Sequence, residues 1–184
     1  MMGGRGGVIL SKQEYGKKIN SAVFPGCQGT SAVNLIAAKA VIFKLAMKPE
    51  FIHLQKKTLG NAAFFATELA EKGFRIVSEG TDTHQVLVDL TSIGLEGDAV
   101  EKTLESVGII LNRNVIPRDA ESPGRTSGIR LGSAAISMRG MGKKEIVQIA
   151  GLMNTAMLNH DSKDVLAQVS KEVTKICRGF PVYG

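Results

Sequence analysis

Tryptophan is absent from these 184 residues, and tyrosine and cysteine occur twice each. Each scarcity excludes something. None of the seven phenylalanines falls in a basic run, so the chain lacks the aromatic platform on which a single-strand nucleic-acid binder stacks bases. The two cysteines, Cys27 and Cys177, have no second thiol or histidine at metal-ligand spacing, so neither a disulfide framework nor a zinc site is indicated. Free thiols are expected. No run approaches the roughly 20 consecutive apolar residues of a membrane span. The opening "MMGGRGGVIL" lacks the charged start and apolar core of a secretory signal. A soluble, cytoplasmic protein is the expectation.

What is present suits a globular chain. With 43% hydrophobic and 22% charged residues, there is material for one well-packed core, or for a main domain with a short appendage. The net charge of +6, from 23 Lys and Arg against 17 Asp and Glu, leaves anionic small molecules and nucleic acid open as partners. Its distribution favours the former. The pairs Lys17-Lys18, Lys56-Lys57 and Lys143-Lys144 lie in segments of helical periodicity and read as solvated helix faces. The box "GGRGG" at 3–7 stands alone, which is thin support for a nucleic-acid binder.

Segment types change along the chain. "VIL" at 8–10 is a short strand candidate, and "KQEYGKKINSAVF" carries a helical pattern up to Pro25. The turn-rich "FPGCQGTS", 24–31, feeds "AVNLIAAKAVIFKLAM", whose apolar density predicts a buried helix. Pro49 separates it from a second helix, "EFIHLQKKTLGNAAFFATELAEKG", with Gly73 as terminator. Short strands then alternate with helices: "FRIVS", "HQVLVDL", the helix "DAVEKTLESVG" closed by Gly108, "IILN", and "GIRLGS" after the loop "RNVIPRDAESPGRTS". Two helices follow, the second with Ser162 as its N-cap. The reading is a small α/β layer domain over 48–184, preceded by a helical piece over 1–47.

Four local features bear on chemistry. The loop "GCQGTS" before a helix suits a phosphate, because the first N–H groups of a helix lack internal partners; it equally suits a plain turn. His84, after "GTDT" at a strand mouth, is a candidate acid, base or ligand, or a structural residue. "NRN" at 112–114 offers amides for a polar heterocycle or for closing a loop. Arg130 interrupts the apolar run "TSGIRLGS". It is either an outward-facing residue on a half-exposed strand or a fixed anion receptor, whose fork grips a carboxylate through two parallel hydrogen bonds. Buried without a partner it would cost several kcal/mol, so the fold is expected to supply a ligand or an acidic neighbour.

The segments "RGGVIL", "KKINSAVFPGCQG", "IAAKAV", "GTDTHQVLVDL", "LNRNVIP", "SPGRTSGIRLGSAA" and "ICRGFPVYG", in this order, resemble the C-terminal portion of bacterial serine hydroxymethyltransferase. The resemblance implies the small C-terminal α/β domain of a fold-type I pyridoxal-phosphate enzyme, preceded by a remnant of its large cofactor domain. It implies interconversion of serine and glycine with tetrahydrofolate as co-substrate. By it, Arg130 holds the substrate carboxylate and Asn114 lies close to the folate ring. Gly29 and Thr30 stand in the loop that reaches the cofactor phosphate of the partner subunit in a dimer, and His84 lies in a stretch that opens a strand of the small domain.

Two departures accompany it. The family's phosphate loop usually reads Gln-Gly-Gly-Pro with a histidine shortly after. Here Gln28, Gly29, Thr30 and Ser31 stand there, with Asn34 in the histidine's place, and Thr30 would cost roughly 1–2 kcal/mol in a left-handed conformation. The lysine that binds the cofactor would fall two positions before Met1, and neither Lys12 nor Lys17 has a comparable setting. The expectation is a part of the enzyme that is inert by itself, a homo-oligomer or the complement of a separate N-terminal half. A non-catalytic amino-acid- or folate-binding module is the alternative. The segment before residue 48 is expected to expose apolar surface.

Overall fold

The computed structural model describes residues 6–119 and 126–182. The chain divides into two compact units, Met1–Ile52 and His53–Gly184. In the first, a 3-10 turn at Gln13–Tyr15 leads into helix α1, Gly16–Ser21, and a π-type turn at Ala22–Cys27 that holds a cis Phe24–Pro25 bond. The turn-rich loop expected from residue 24 therefore begins after Cys27. Helix α2, Val33–Ala46, follows.

Two expectations for this unit are corrected. Residues 8–10 form no strand; Val8, Ile9 and Leu10 are exposed, since an apolar triplet without a neighbouring strand has nothing to pair with. Helix α2 forms, but none of its residues is buried, and Val33, Ile36, Val41 and Leu45 are each half exposed or more. A helix that is apolar around its circumference ordinarily belongs inside a larger body. The expectation of exposed apolar surface before residue 48 is met.

Helix α3, Pro49–Glu71, opens with proline at its first position, where the missing N–H costs nothing. It buries Asn61, Ala62, Phe65, Ala66 and Leu69, spaced three and four residues apart along one stripe. Gly73, at φ +89°, ends the run. Its N–H donates to the Ala70 carbonyl at 2.9 Å, and the Phe74 N–H to that of Leu69 at 3.1 Å, the paired bonds of a left-handed helix terminus. Strand β1, Arg75–Ile76, stops sooner than "FRIVS" suggests because a 3-10 turn at Val77–Glu79 turns the backbone away. Strand β2, Gln85–Asp89, and helix α4, Gly97–Ser106, form as expected.

Strand β3, Asn112–Asn114, begins later than "IILN": Ile110 is exposed, and pairing starts only at Asn112. Strand β4 covers Gly128–Gly132. Helix α5, Ala134–Met138, is a short element that periodicity did not announce; helices α6, Lys143–Leu158, and α7, Lys163–Gly179, complete the chain.

The result is a mixed α/β unit whose four strands lie in the order β1-β2-β4-β3, every neighbouring pair antiparallel. Alternation along each strand sorts the side chains. Val86 and Val88 of β2 and Ile129 and Leu131 of β4 are buried and belong to one cluster with Phe65, Leu69, Val100, Leu104, Ile146 and Met153 from the helices. The remaining strand positions form the opposite, open face of the sheet.

Candidate functional site

The open face carries Arg130. In the register of the sheet, Arg130 lies opposite Leu87 on one side and Asn112 on the other, while Asn114 pairs with Gly128. Residues two apart share a face, so Gln85, Leu87, Arg130, Asn112 and Asn114 all belong to the side away from the core. Arg130 is accordingly exposed, and its guanidinium has no hydrogen-bond or ion-pair partner among the described residues. Its position is that of an outward-facing residue on a half-exposed strand, the first of the two settings open to it from the sequence. Ile129 and Leu131 are inside and Arg130 is outside, and no desolvation cost demands an acidic neighbour.

The arginine nevertheless does not stand on a flat surface. It lines a concavity of about 750 Å³ with Asn114, Gln85, Leu87 and a wall formed by residues of the Val77–Thr83 segment. Two features shape that wall. Ser78 and Glu79 adopt φ values of +65° and +55°, the left-handed region that side-chain-bearing residues enter at some cost. Beyond them, threonine hydroxyls replace regular pairing. Thr81 Oγ1 donates to the Gln85 carbonyl at 2.6 Å, the Thr83 N–H donates to Thr81 Oγ1 at 3.1 Å, and the Gln85 N–H to Thr83 Oγ1 at 3.2 Å. Such side-chain turns hold a loop in one shape and leave the intervening side chain, Asp82, exposed on the concave side.

The neighbouring positions have other work. Asn114 donates from Nδ2 to the Val115 carbonyl at 2.7 Å, which leaves its Oδ1 without a bond of its own among the described residues. Arg113, between the two asparagines, points to the helical side. It pairs with Asp98 of α4, and its N–H donates to Glu101 Oε1 at 3.0 Å. His84 is exposed, and its ring does not line the concavity. Its carbonyl accepts the Ser133 N–H at 2.9 Å, while Ser133 Oγ donates to the Thr58 carbonyl at 2.7 Å, tying β2 to α3.

At the far end of the open face Asp89 is buried. Burial pushes its carboxyl upward, but the Thr91 hydroxyl at 2.6 Å, the Thr91 N–H at 2.8 Å and Arg75 outweigh this and hold it below the usual aspartate range.

Gly29 and Thr30 belong to the first unit, Arg130 and Asn114 to the second. Gly29 and Thr30 are exposed, in the segment between Cys27 and α2. Thr30 is not left-handed; among the described non-glycine residues only Ser78, Glu79 and Arg118 are. The strain considered for Thr30 is therefore absent. Cys27 and Cys177 are free thiols. No helix among the described residues is long and apolar enough to cross a membrane.

Arg130 and Asn114 are conspicuous in the sequence; Ser78, Thr81, Asp82, Thr83 and Gln85, which line the same concavity, are not. Their signal was the cluster "SEGTDT", dense in turn-forming side chains between two strands.

Fold and cleft together define a small mixed α/β domain with a polar, ligand-sized concavity on the open face of its sheet. Comparison with known proteins says which one: the serine hydroxymethyltransferase family matches residues 1–153, and the chain belongs to that family. It is 47% identical over 184 residues to the serine hydroxymethyltransferase of Endomicrobium trichonymphae, covering 100% of this chain and 44% of that protein. The enzyme of the same name from Cyanothece sp. is 44% identical over 184 residues, which make up 43% of its length. That of Mycobacterium leprae is 45% identical over 187 residues, covering 99% of this chain and 44% of the relative. The matched part is the C-terminal portion of these relatives, so the chain spans less than half their length.

Proposed function

We propose that the chain is the C-terminal part of a cytoplasmic, pyridoxal-phosphate-dependent serine hydroxymethyltransferase with a fold-type I architecture, and that Arg130 receives the carboxylate of serine or glycine. The observation that carries this is the unpartnered Arg130 guanidinium over a concavity that it shares with Asn114. Donors that carry no internal bond are free to serve a guest, and a fork-shaped cation matches a carboxylate in both charge and geometry. Asn114 supplies an amide oxygen suited to an N–H on the edge of the folate ring.

Of the cofactor's two ends, these residues fit one. Gly29 and Thr30 precede the 14-residue helix α2, whose leading N–H groups suit a phosphate. No Cβ contact would crowd the backbone at Gly29, and Ala32 offers no side-chain cap to compete. In a dimer this loop serves the phosphate bound by the partner subunit. The other end finds no match, because no lysine lines the concavity. When bound, pyridoxal phosphate supplies an electron sink for cleavage at the substrate α-carbon. The residues described here anchor and orient the substrate, and the amine that engages the cofactor lies outside this set. Turnover then requires the part of the enzyme corresponding to the remainder of the relatives' length.

The test is co-expression with the N-terminal portion of the Endomicrobium trichonymphae relative, followed by assay of serine cleavage with pyridoxal phosphate and tetrahydrofolate. The assembled pair is expected to turn over, and neither part alone. Arg130→Lys in the pair should raise the serine KM about 10- to 100-fold, the worth of a charged, two-pronged hydrogen bond. An unchanged KM for that variant overturns the assignment.

A further inference from the structure

The second unit also holds a cavity of apolar character. It measures about 320 Å³ and lies between β4, the 108–111 segment and helices α5, α6 and α7. It shares no lining residue with the concavity of Arg130, and Leu131, the next residue of β4, faces it from the other side of the sheet. Phe65, Leu131, Met141 and Met153 line it from inside the core, while Ile110 and Ala135 are exposed where it reaches solvent. Protein interiors leave few voids larger than a water molecule, and a void walled by apolar groups stays dry and takes apolar guests. Its volume falls at the lower end of the range of small-molecule pockets.

One charge meets this lining. Arg139 is its only Lys, Arg, Asp, Glu or His, and no carboxylate pairs with it among the described residues. Its Nε donates to the Phe180 carbonyl at 2.7 Å, its Nη2 to the Cys177 carbonyl at 3.0 Å and its Nη1 to Cys177 Sγ at 3.7 Å. These contacts fix the guanidinium beside Cys177, which itself lines the cavity. They engage three of its five N–H groups and leave its charge without a counterion. An apolar pocket with a fixed cation at its wall is complementary to an amphipathic anion. A neutral apolar guest would leave the cation unbalanced; a small hydrophilic anion would leave the lining unfilled. We propose that the cavity binds a medium-chain carboxylate, its alkyl chain against the apolar lining and its head group at Arg139. Met141 and Met153 adapt to the shape of the chain, as flexible thioethers do.

The experiment measures alkylation of Cys177 by iodoacetamide in the 184-residue chain, with Cys27, an exposed thiol of the first unit, as internal reference. Octanoate, octan-1-ol, octylammonium and acetate are the probes. Octanoate at about ten times its Kd should slow Cys177 about tenfold, leave Cys27 unchanged and raise Tm, as a guest of the folded state alone does. From butanoate to octanoate the affinity should rise about fourfold per methylene. Octan-1-ol should bind about tenfold more weakly than octanoate for want of the charge, and acetate should not protect. Because Arg139 also holds the end of α7, the probes and not a substitution test its charge. Ala135→Phe, at an exposed position, fills the cavity and should abolish the protection while circular dichroism shows the fold retained. Equal protection by octan-1-ol or octylammonium overturns the proposal, and so does protection that survives Ala135→Phe. No effect of octanoate on Cys177 or on Tm overturns it as well. Protection of Cys177 that grows with protein concentration alone would assign the cavity to a second copy of the chain and overturn it too.

Discussion

A methyl group added at Gly128 has nowhere to go. A Cβ built there meets Ile116 Cγ2 at 2.4 Å, the Asn114 carbonyl oxygen at 2.9 Å and the Val88 carbonyl oxygen at 3.0 Å. The isoleucine can rotate, but the two carbonyls belong to the strands on either side of β4 and are held by the sheet. Relief therefore requires β4 to separate from β2 or β3. Overpacking of this kind costs about 1–3 kcal/mol, and contact with backbone on both sides places Gly128→Ala at about 3 kcal/mol. For a chain of this length that lowers Tm by about 6–12 °C. Gly132, four residues along the same strand, is the control: its added Cβ lies 3.7 Å from the His84 carbonyl oxygen, an ordinary contact. Gly132→Ala should shift stability by no more than about 0.5 kcal/mol. Scanning calorimetry of the two variants decides the matter. Equal melting temperatures would refute the packing argument, and with it the placement of Arg130 two residues from the crowded point.

Two further outcomes are expected. Asp89 has a depressed carboxyl pKa in the folded state, so its stabilisation is present above the ordinary aspartate value and is lost as pH falls through the depressed one. Acid unfolding below about pH 4 should therefore be less steep in Asp89→Asn, which should also lose about 1–3 kcal/mol at neutral pH; parallel acid limbs in urea titrations of the two proteins would contradict this. Glu79→Gly removes the side chain from a left-handed position and should raise stability by roughly 0.5–1 kcal/mol, whereas a lower urea midpoint would show that the Glu79 side chain stabilises the turn.

How far the sequence could be read depended on whether a pattern was settled locally. Helix α3 carries its own stop in Gly73, and α4 in Gly108, so both were legible. Strands β2 and β4 were legible because "VLV" and "GIRLG" have the alternation or the apolar density of a half-buried sheet. Strand β1 was overextended because nothing in "FRIVS" reveals that Ser78 and Glu79 will take positive φ, a choice imposed by the turn that follows. Apolar content suggests a strand at 8–10 and a buried helix at α2, yet a strand needs a neighbour to pair with and burial needs a partner, and content specifies neither.

For the site, residue type was legible and environment was not. Arg130 stands out by contrast with Ile129 and Leu131, but the sequence leaves open whether it faces outward or is fixed inside, and strand alternation in the folded sheet puts it on the side away from them. Asp82 went unnoticed because a Gly-Thr-Asp-Thr stretch reads as turn chemistry. Its standing as a charge on the same wall as Arg130 exists only once residues 48 positions apart are brought to one face.

The central claim is that the Arg130 guanidinium is a free receptor for a carboxylate. The most direct measurement is the side-chain Nε–H resonance of Arg130 in the labelled chain during titration with acetate. A saturable shift of that resonance, absent when methylammonium is added in its place, is the predicted result. A resonance that stays unmoved while other residues of the concavity respond to acetate would contradict the account.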